Sequence, residues 1–156
     1  MKKVLLIFAI TVISLLSLNA HAQVSNTEQG DKAPLDFFTG DVWIKEMVND
    51  VASGYSVYKV TFEKEARTNW HTHPVKQIIA IAEGKAYYQE KGKPAKVLNR
   101  GDVIDIPAGV NFWIGATTDS GNVQIVVNPF IDPDKEAVKW LEKVTDEEYK
   151  SAQIKK

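Results

Sequence analysis

The sequence contains no cysteine among its 156 residues. Disulfides, thiolate metal sites, iron–sulfur clusters and cysteine nucleophiles are therefore excluded. An excess of charge of either sign is also missing: 19 Lys and Arg stand against 20 Asp and Glu, a formal net charge of −1. That balance excludes a broadly basic nucleic-acid binder, and 44% hydrophobic residues exclude a disordered tail. No glycine-rich phosphate loop occurs, since Gly92 and Gly101 sit in hairpin-type turns. Histidine is scarce as well, with 3 in the whole chain. Chemistry must come from those imidazoles, from carboxylates, amides and hydroxyls, or from a bound ion.

One long apolar run is present, over residues 4–18, preceded by Lys2 and Lys3 and followed by Ala20-His21-Ala22. Charged, apolar and small-residue regions in that order predict a secretory signal over 1–22, cleaved before Gln23. No lipid-attachment cysteine follows, so the mature chain is expected to be periplasmic or secreted, with no stable membrane anchor. Cleavage removes His21 and leaves His71 and His73 as the only imidazoles. No Ser-His-acid arrangement is left to build, because both lie together.

Residues 23–36 are polar, contain Gly30 and Pro34, and read as a flexible leader. Short runs rich in Val, Ile, Tyr and Phe then follow at 42–48, 55–62, 77–82, 86–89, 103–106 and 123–127. Turn signals separate them, among them Ser53-Gly54, Lys91-Gly92-Lys93-Pro94, Pro107-Ala108-Gly109 and Asp119-Ser120-Gly121-Asn122. Many short strands without intervening helices predict an all-β domain over 37–131, an antiparallel sandwich or barrel. Residues 132–156 read as a helical tail: Ala137, Trp140, Leu141 and Val144 fit one helix face, and Thr145 to Glu148 form a capping box. Arg67, which precedes the histidines, reads as a surface-loop arginine, with an anion clamp as the alternative.

Trp70-His71-Thr72-His73-Pro74 carries the densest chemistry. In an extended strand, side chains two apart share a face, so His71 and His73 project together and Trp70 and Thr72 oppose them. Gln77 opens the run 77–82 and shares its face with Ile79 and Ile81. A carboxamide among isoleucines needs a hydrogen-bond partner or a cation, since burying it unpaired costs on the order of a few kcal/mol. A His-His-Gln metal set is one reading; an exposed strand end, or imidazoles satisfied by backbone carbonyls, is the other.

Two spaced segments resemble the motifs of a known family. His71-x-His73-x3-Gln77-x6-Gly84 is similar to the first cupin motif and Gly101-x5-Pro107-x-Gly109-x2-Phe112 to the second, with 16 residues between Gly84 and Gly101. The chain resembles small single-domain bacterial cupins, the quercetin-dioxygenase-like and manganese-dependent hydroxynitrile-lyase-like group. The resemblance implies a β jelly-roll barrel with a short C-terminal helix, a homodimer, and a divalent metal inside the barrel. It places His71, His73 and Gln77 as metal ligands. The chain departs from that pattern at three positions: Phe112 stands where the family has its last ligand histidine, and Ile114 and Gln124 where further active-site histidines are common. Glu65 replaces the leading glycine of the first motif.

Two neutral nitrogens and one neutral oxygen bind a divalent ion more weakly than a four-ligand site does, and manganese, zinc, iron and nickel are the ions to consider. Without a metal, Phe112, Ile114, Ile79 and Ile81 line an apolar pocket with a polar patch at the histidines. The expected function is an exported lyase-like or dioxygenase-like cupin acting on a small carbonyl, enol or aromatic molecule. The alternative is a binding cupin without turnover.

Overall fold

Alternation of apolar and polar side chains becomes antiparallel strands in the structure, a computed structural model that describes residues 29–50, 52, 54–129 and 136–153. The elements among these are β1 (Asp31–Lys32), β2 (Phe38–Thr39), β3 (Val42–Asp50), β4 (Tyr55–Phe62), β5 (Arg67–Thr68), β6 (His71–Thr72) and β7 (Gln77–Glu90). They continue with β8 (Lys96–Asn99), β9 (Val103–Ile106), β10 (Phe112–Ala116), β11 (Asn122–Pro129), β12 (Lys139–Trp140) and the helix α1 (Asp146–Gln153). The expected signal over 1–22 and the start of the leader lie outside the described residues. No helix among the described residues is long and apolar enough to cross a membrane.

Two curled sheets share β7. Its first half pairs with β9 and β11, and that sheet continues through β4 and β3 to β1. Its second half pairs with β8 and β10, beyond which lie β5, β6, β2 and β12. All pairings are antiparallel, so the chain rolls into a jelly-roll barrel. β7 crosses between the sheets at Gly84, where φ is 69° and a Cβ would lie 1.9 Å from the Gly121 carbonyl oxygen. Only glycine fits so close an approach.

The inward faces bury one cluster of Ile81, Tyr88, Leu98, Ile106 and Phe112 and another of Phe38, Val42, Phe62 and Ala116. Behind the second sheet, Trp70, Tyr87 and Trp113 pack under Val144, Tyr149 and Ala152. α1 begins with the expected capping box: the Thr145 N–H donates to Glu148 Oε2 at 2.9 Å, and the Glu148 N–H to Thr145 Oγ1 at 3.1 Å. Arg67, far from being a surface-loop residue, is buried and pins this helix. Its Nη2 donates to Asp146 Oδ1 at 2.6 Å and to the Val144 carbonyl, and its guanidinium lies 4.7 Å from the Tyr149 ring centre.

Further corrections to the sequence reading have clear causes. The leader is not wholly free, because Asp31 and Lys32 pair with Ile44 and Trp43 and Ala33 is buried. Residues 137–144 are not one helix face: Lys139 and Trp140 pair with Thr72 and His71, and Trp140 stacks on Phe37 at 4.7 Å between ring centres. The open edge of β6 needs backbone partners, and that need outweighs helical spacing. Gly84 does not end a strand, so the runs 77–82 and 86–89 form one continuous β7 of 14 residues.

Candidate active site

β6 lies between β10 and β12, with His71 directly opposite both Phe112 and Trp140. This placement sets the His71 ring 4.2 Å from Phe112 and 5.0 Å from Trp140, centre to centre. His73 follows two residues on, its ring 5.2 Å from that of His71 and inclined at 80°. Both imidazoles and Gln77 are buried. Strand alternation thus brings together the three side chains singled out in the sequence.

Backbone carbonyls fix the imidazole protons. His71 Nδ1–H donates to the Asn69 carbonyl and His73 Nδ1–H to the Ala137 carbonyl, each at 3.0 Å. Each ring therefore keeps a lone pair on Nε2. Burial pushes the His71 pKa down from 6.5 to about 3, the bond to Asn69 opposing and nearby His73 adding to the fall. His73 is lowered as well, again by burial. Both rings are neutral at physiological pH. Gln77 Nε2 lies 3.2 Å from His73 Nε2 and 3.0 Å from Asn128 Oδ1.

These groups border a cavity of about 230 Å³. Ile79, Ile114 and Gln124 line it, and no charged side chain does so among the described residues. Ile81 and Phe112 do not line it. Ile81 lies among Leu98, Ile106 and Tyr88, in the filled part of the barrel, and Phe112 packs beneath the histidine rings. Gln124 is 1% exposed and donates through Nε2 to Asn122 Oδ1 at 3.0 Å.

Sequence reasoning missed Tyr58, Thr68, Asn128, Ala137 and Trp140. Asn128 had a signal: it stands four residues after Gln124 on β11, so the two share a face. Ala137 and Trp140 reach the cavity through a tertiary strand pairing that no local pattern announces.

No group of three or more His, Cys, Asp or Glu side chains placed to hold a metal ion occurs among the described residues. A cation would rest on His71, His73 and a carboxamide. The histidines suit that task, because carbonyl-held Nδ1–H groups leave Nε2 as the donor, the usual arrangement of ligating imidazoles. Their ring separation agrees too, since two rings sharing one ion through bonds of ~2 Å have centres ~5 Å apart.

A cupin-domain family model matches residues 58–128. An (R)-mandelonitrile lyase of Granulicella tundricola is 34% identical over 128 residues, covering 80% of this chain and 94% of that one. The chain belongs to the cupin family. Among solved cupins, a cupin-like protein of Thermotoga maritima is 45% identical and superposes with a TM-score of 0.75, covering 80% of this chain and 94% of its own. The DMSP lyase DddQ of Ruegeria pomeroyi shares the fold at 20% identity and a TM-score of 0.55, over 68% of this chain and 52% of that one.

Proposed function

We propose that this cupin holds a divalent cation on His71, His73 and Gln77 and uses it to bind and transform a small carbonyl- or hydroxyl-bearing molecule in the barrel cavity. The carrying observation is the tautomer that backbone carbonyls fix in both imidazoles, which leaves a neutral Nε2 lone pair on each of two rings 5.2 Å apart, that of His73 lying 3.2 Å from the Gln77 amide. A bound divalent cation supplies Lewis acidity toward a substrate oxygen. The surrounding residues do the rest: Ile79, Ile114, Val126 and Trp140 exclude water and hold an apolar substrate body. Neutral ligands leave the ion's charge uncancelled, which favours an oxygen with anionic character. The 34% identical mandelonitrile lyase supports a lyase-type reaction on such a molecule.

Phe112 favours a second reading, a binding cupin without metal or turnover. It packs at 4.2 Å on His71, on β10, where the family resemblance expects a fourth ligand. Plasma mass spectrometry of the purified protein beside a His71→Ala/His73→Ala variant separates the two. Stoichiometric manganese, zinc, iron or nickel lost in the variant supports the first reading; equal traces in both leave the second.

Export and self-association belong to the same proposal. The signal at 1–22 directs the chain to the periplasm or medium, which N-terminal sequencing of the secreted protein checks. Ile78 and Ala80 lie on the outer face of β7, beside Val127, Ile125 and the exposed Val103. An apolar outer face of this kind suits a second copy of the chain, and light scattering in solution reads a homodimer directly.

A further inference from the structure

Gln77 differs from the two histidines in one respect: a half-turn of its amide exchanges donor for acceptor. As placed, its Nε2 faces both His73 Nε2 at 3.2 Å and Asn128 Oδ1 at 3.0 Å. His73 Nδ1–H is committed to the Ala137 carbonyl, so His73 Nε2 is an acceptor. The Gln77 amide therefore gives one proton to the imidazole and the other to Asn128. This arrangement is self-satisfied: it caps the His73 lone pair and turns the Gln77 oxygen away from it. A cation on His73 Nε2 needs the opposite, an oxygen where the nitrogen now sits. Turning Gln77 alone would set its Oε1 against Asn128 Oδ1, two acceptors face to face in a site largely removed from water. Asn128 removes the conflict, because its own half-turn presents Nδ2–H to the Gln77 oxygen. It is half-buried and borders the cavity.

We propose that Asn128 is a positioning residue whose carboxamide turns together with that of Gln77 when a divalent cation enters, so that the pair exchanges a self-satisfied arrangement for a ligating one. This inference rests on the cation reading above. It gives Asn128 a function that an apolar residue of equal size cannot supply.

The test follows side-chain amide and imidazole nitrogen signals of the full chain by NMR during titration with zinc alone. The NH2 signals of Gln77 and Asn128, assigned from Gln77→Glu and Asn128→Leu spectra, should move with the same midpoint as His73 Nε2. If His73 Nε2 responds while the Asn128 amide stays put, the coupled turn is overturned and the cation reading stands. If neither histidine responds, both are overturned. By calorimetry, Asn128→Leu should weaken zinc binding about tenfold, as loss of a ligand's supporting hydrogen bond commonly does. Asn128→Thr, whose hydroxyl either accepts or donates, should return it to within about threefold of the original. Equal affinity in all three proteins overturns the proposal.

Discussion

The barrel interior has two parts drawn from the same strands. In one, Ile81, Leu98, Ile106 and Tyr88 fill the space between the sheets. In the other, Ile79 and Ile114 border a cavity of about 230 Å³ whose polar wall is made of His71, His73, Gln77, Gln124 and Asn128. Ile79 and Ile81 are neighbours on one face of β7 and equally buried, at 2% and 1% exposure. Burial alone therefore does not separate scaffold from site; what distinguishes them is whether the far side of the side chain meets atoms or open space. The largest expected effect exploits that difference. Ile81→Ala should cost about 3 kcal/mol in urea unfolding, through lost transfer energy plus a new void. Ile79→Ala should cost about 2 kcal/mol, because its contacts with the cavity side are already missing. Equal losses at the two positions would mean that the cavity is filled.

Acid should separate the two parts as well. The His71 pKa falls from 6.5 to about 3 on folding, so the unfolded chain takes up a proton below pH 6.5 that the folded chain refuses. The stability tied to this group is complete above about pH 6.5 and is lost as the pH falls toward 3, by a few kcal/mol in all. His73 adds in the same direction. Urea midpoints measured from pH 7 to 4 should therefore fall less steeply in His71→Ala/His73→Ala than in the unsubstituted protein. Parallel profiles would show that the imidazoles are already solvated.

Strands set by local alternation were far more legible in the sequence than those set by tertiary packing. Residues 55–62 and 103–106 are the strands expected from their composition, and the shared face of Gln77, Ile79 and Ile81 follows from period two alone. β10 escaped notice for a physical reason: every residue of Phe112–Ala116 is buried, one face by the barrel and the other by α1, so no alternation marks it. β12 was hidden because its strand state is decided by the edge of β6. Arg67 gave no sign of burial because its partners, Val144 and Asp146, lie far along the chain. Glu65, noted for standing where the family has glycine, does adopt a left-handed conformation, with φ of 65°. Glu65→Gly should therefore be tolerated without loss of stability, unlike most exchanges of a turn residue.

Phe112 marks the border between the two parts, and exchanging it should move that border. It belongs to the filled cluster yet touches both imidazoles, at 4.2 and 6.1 Å between ring centres. Phe112→His should give up about 1–3 kcal/mol of stability, from lost apolar volume and a newly buried polar ring. In return it offers a third nitrogen beside His71, and zinc affinity measured by calorimetry should rise at least about tenfold. Unchanged affinity would show that residue 112 lies out of reach of a cation held on the histidines.

The smallest measurable loss is expected at Gln124, an amide set among apolar neighbours whose Nε2 donates to Asn122. Gln124→Leu keeps the volume and trades that bond for apolar contact with Ile81 and Val60, its cross-strand neighbours. Asn122 still donates to the Lys85 carbonyl but loses a donor to its own oxygen, so the net cost should be about 1 kcal/mol. A loss this small would mean that the amide is dispensable for folding, so that its place in the polar wall answers to what the cavity receives. A loss of several kcal/mol would instead make Gln124 part of the scaffold and confine the polar wall to His71, His73, Gln77 and Asn128.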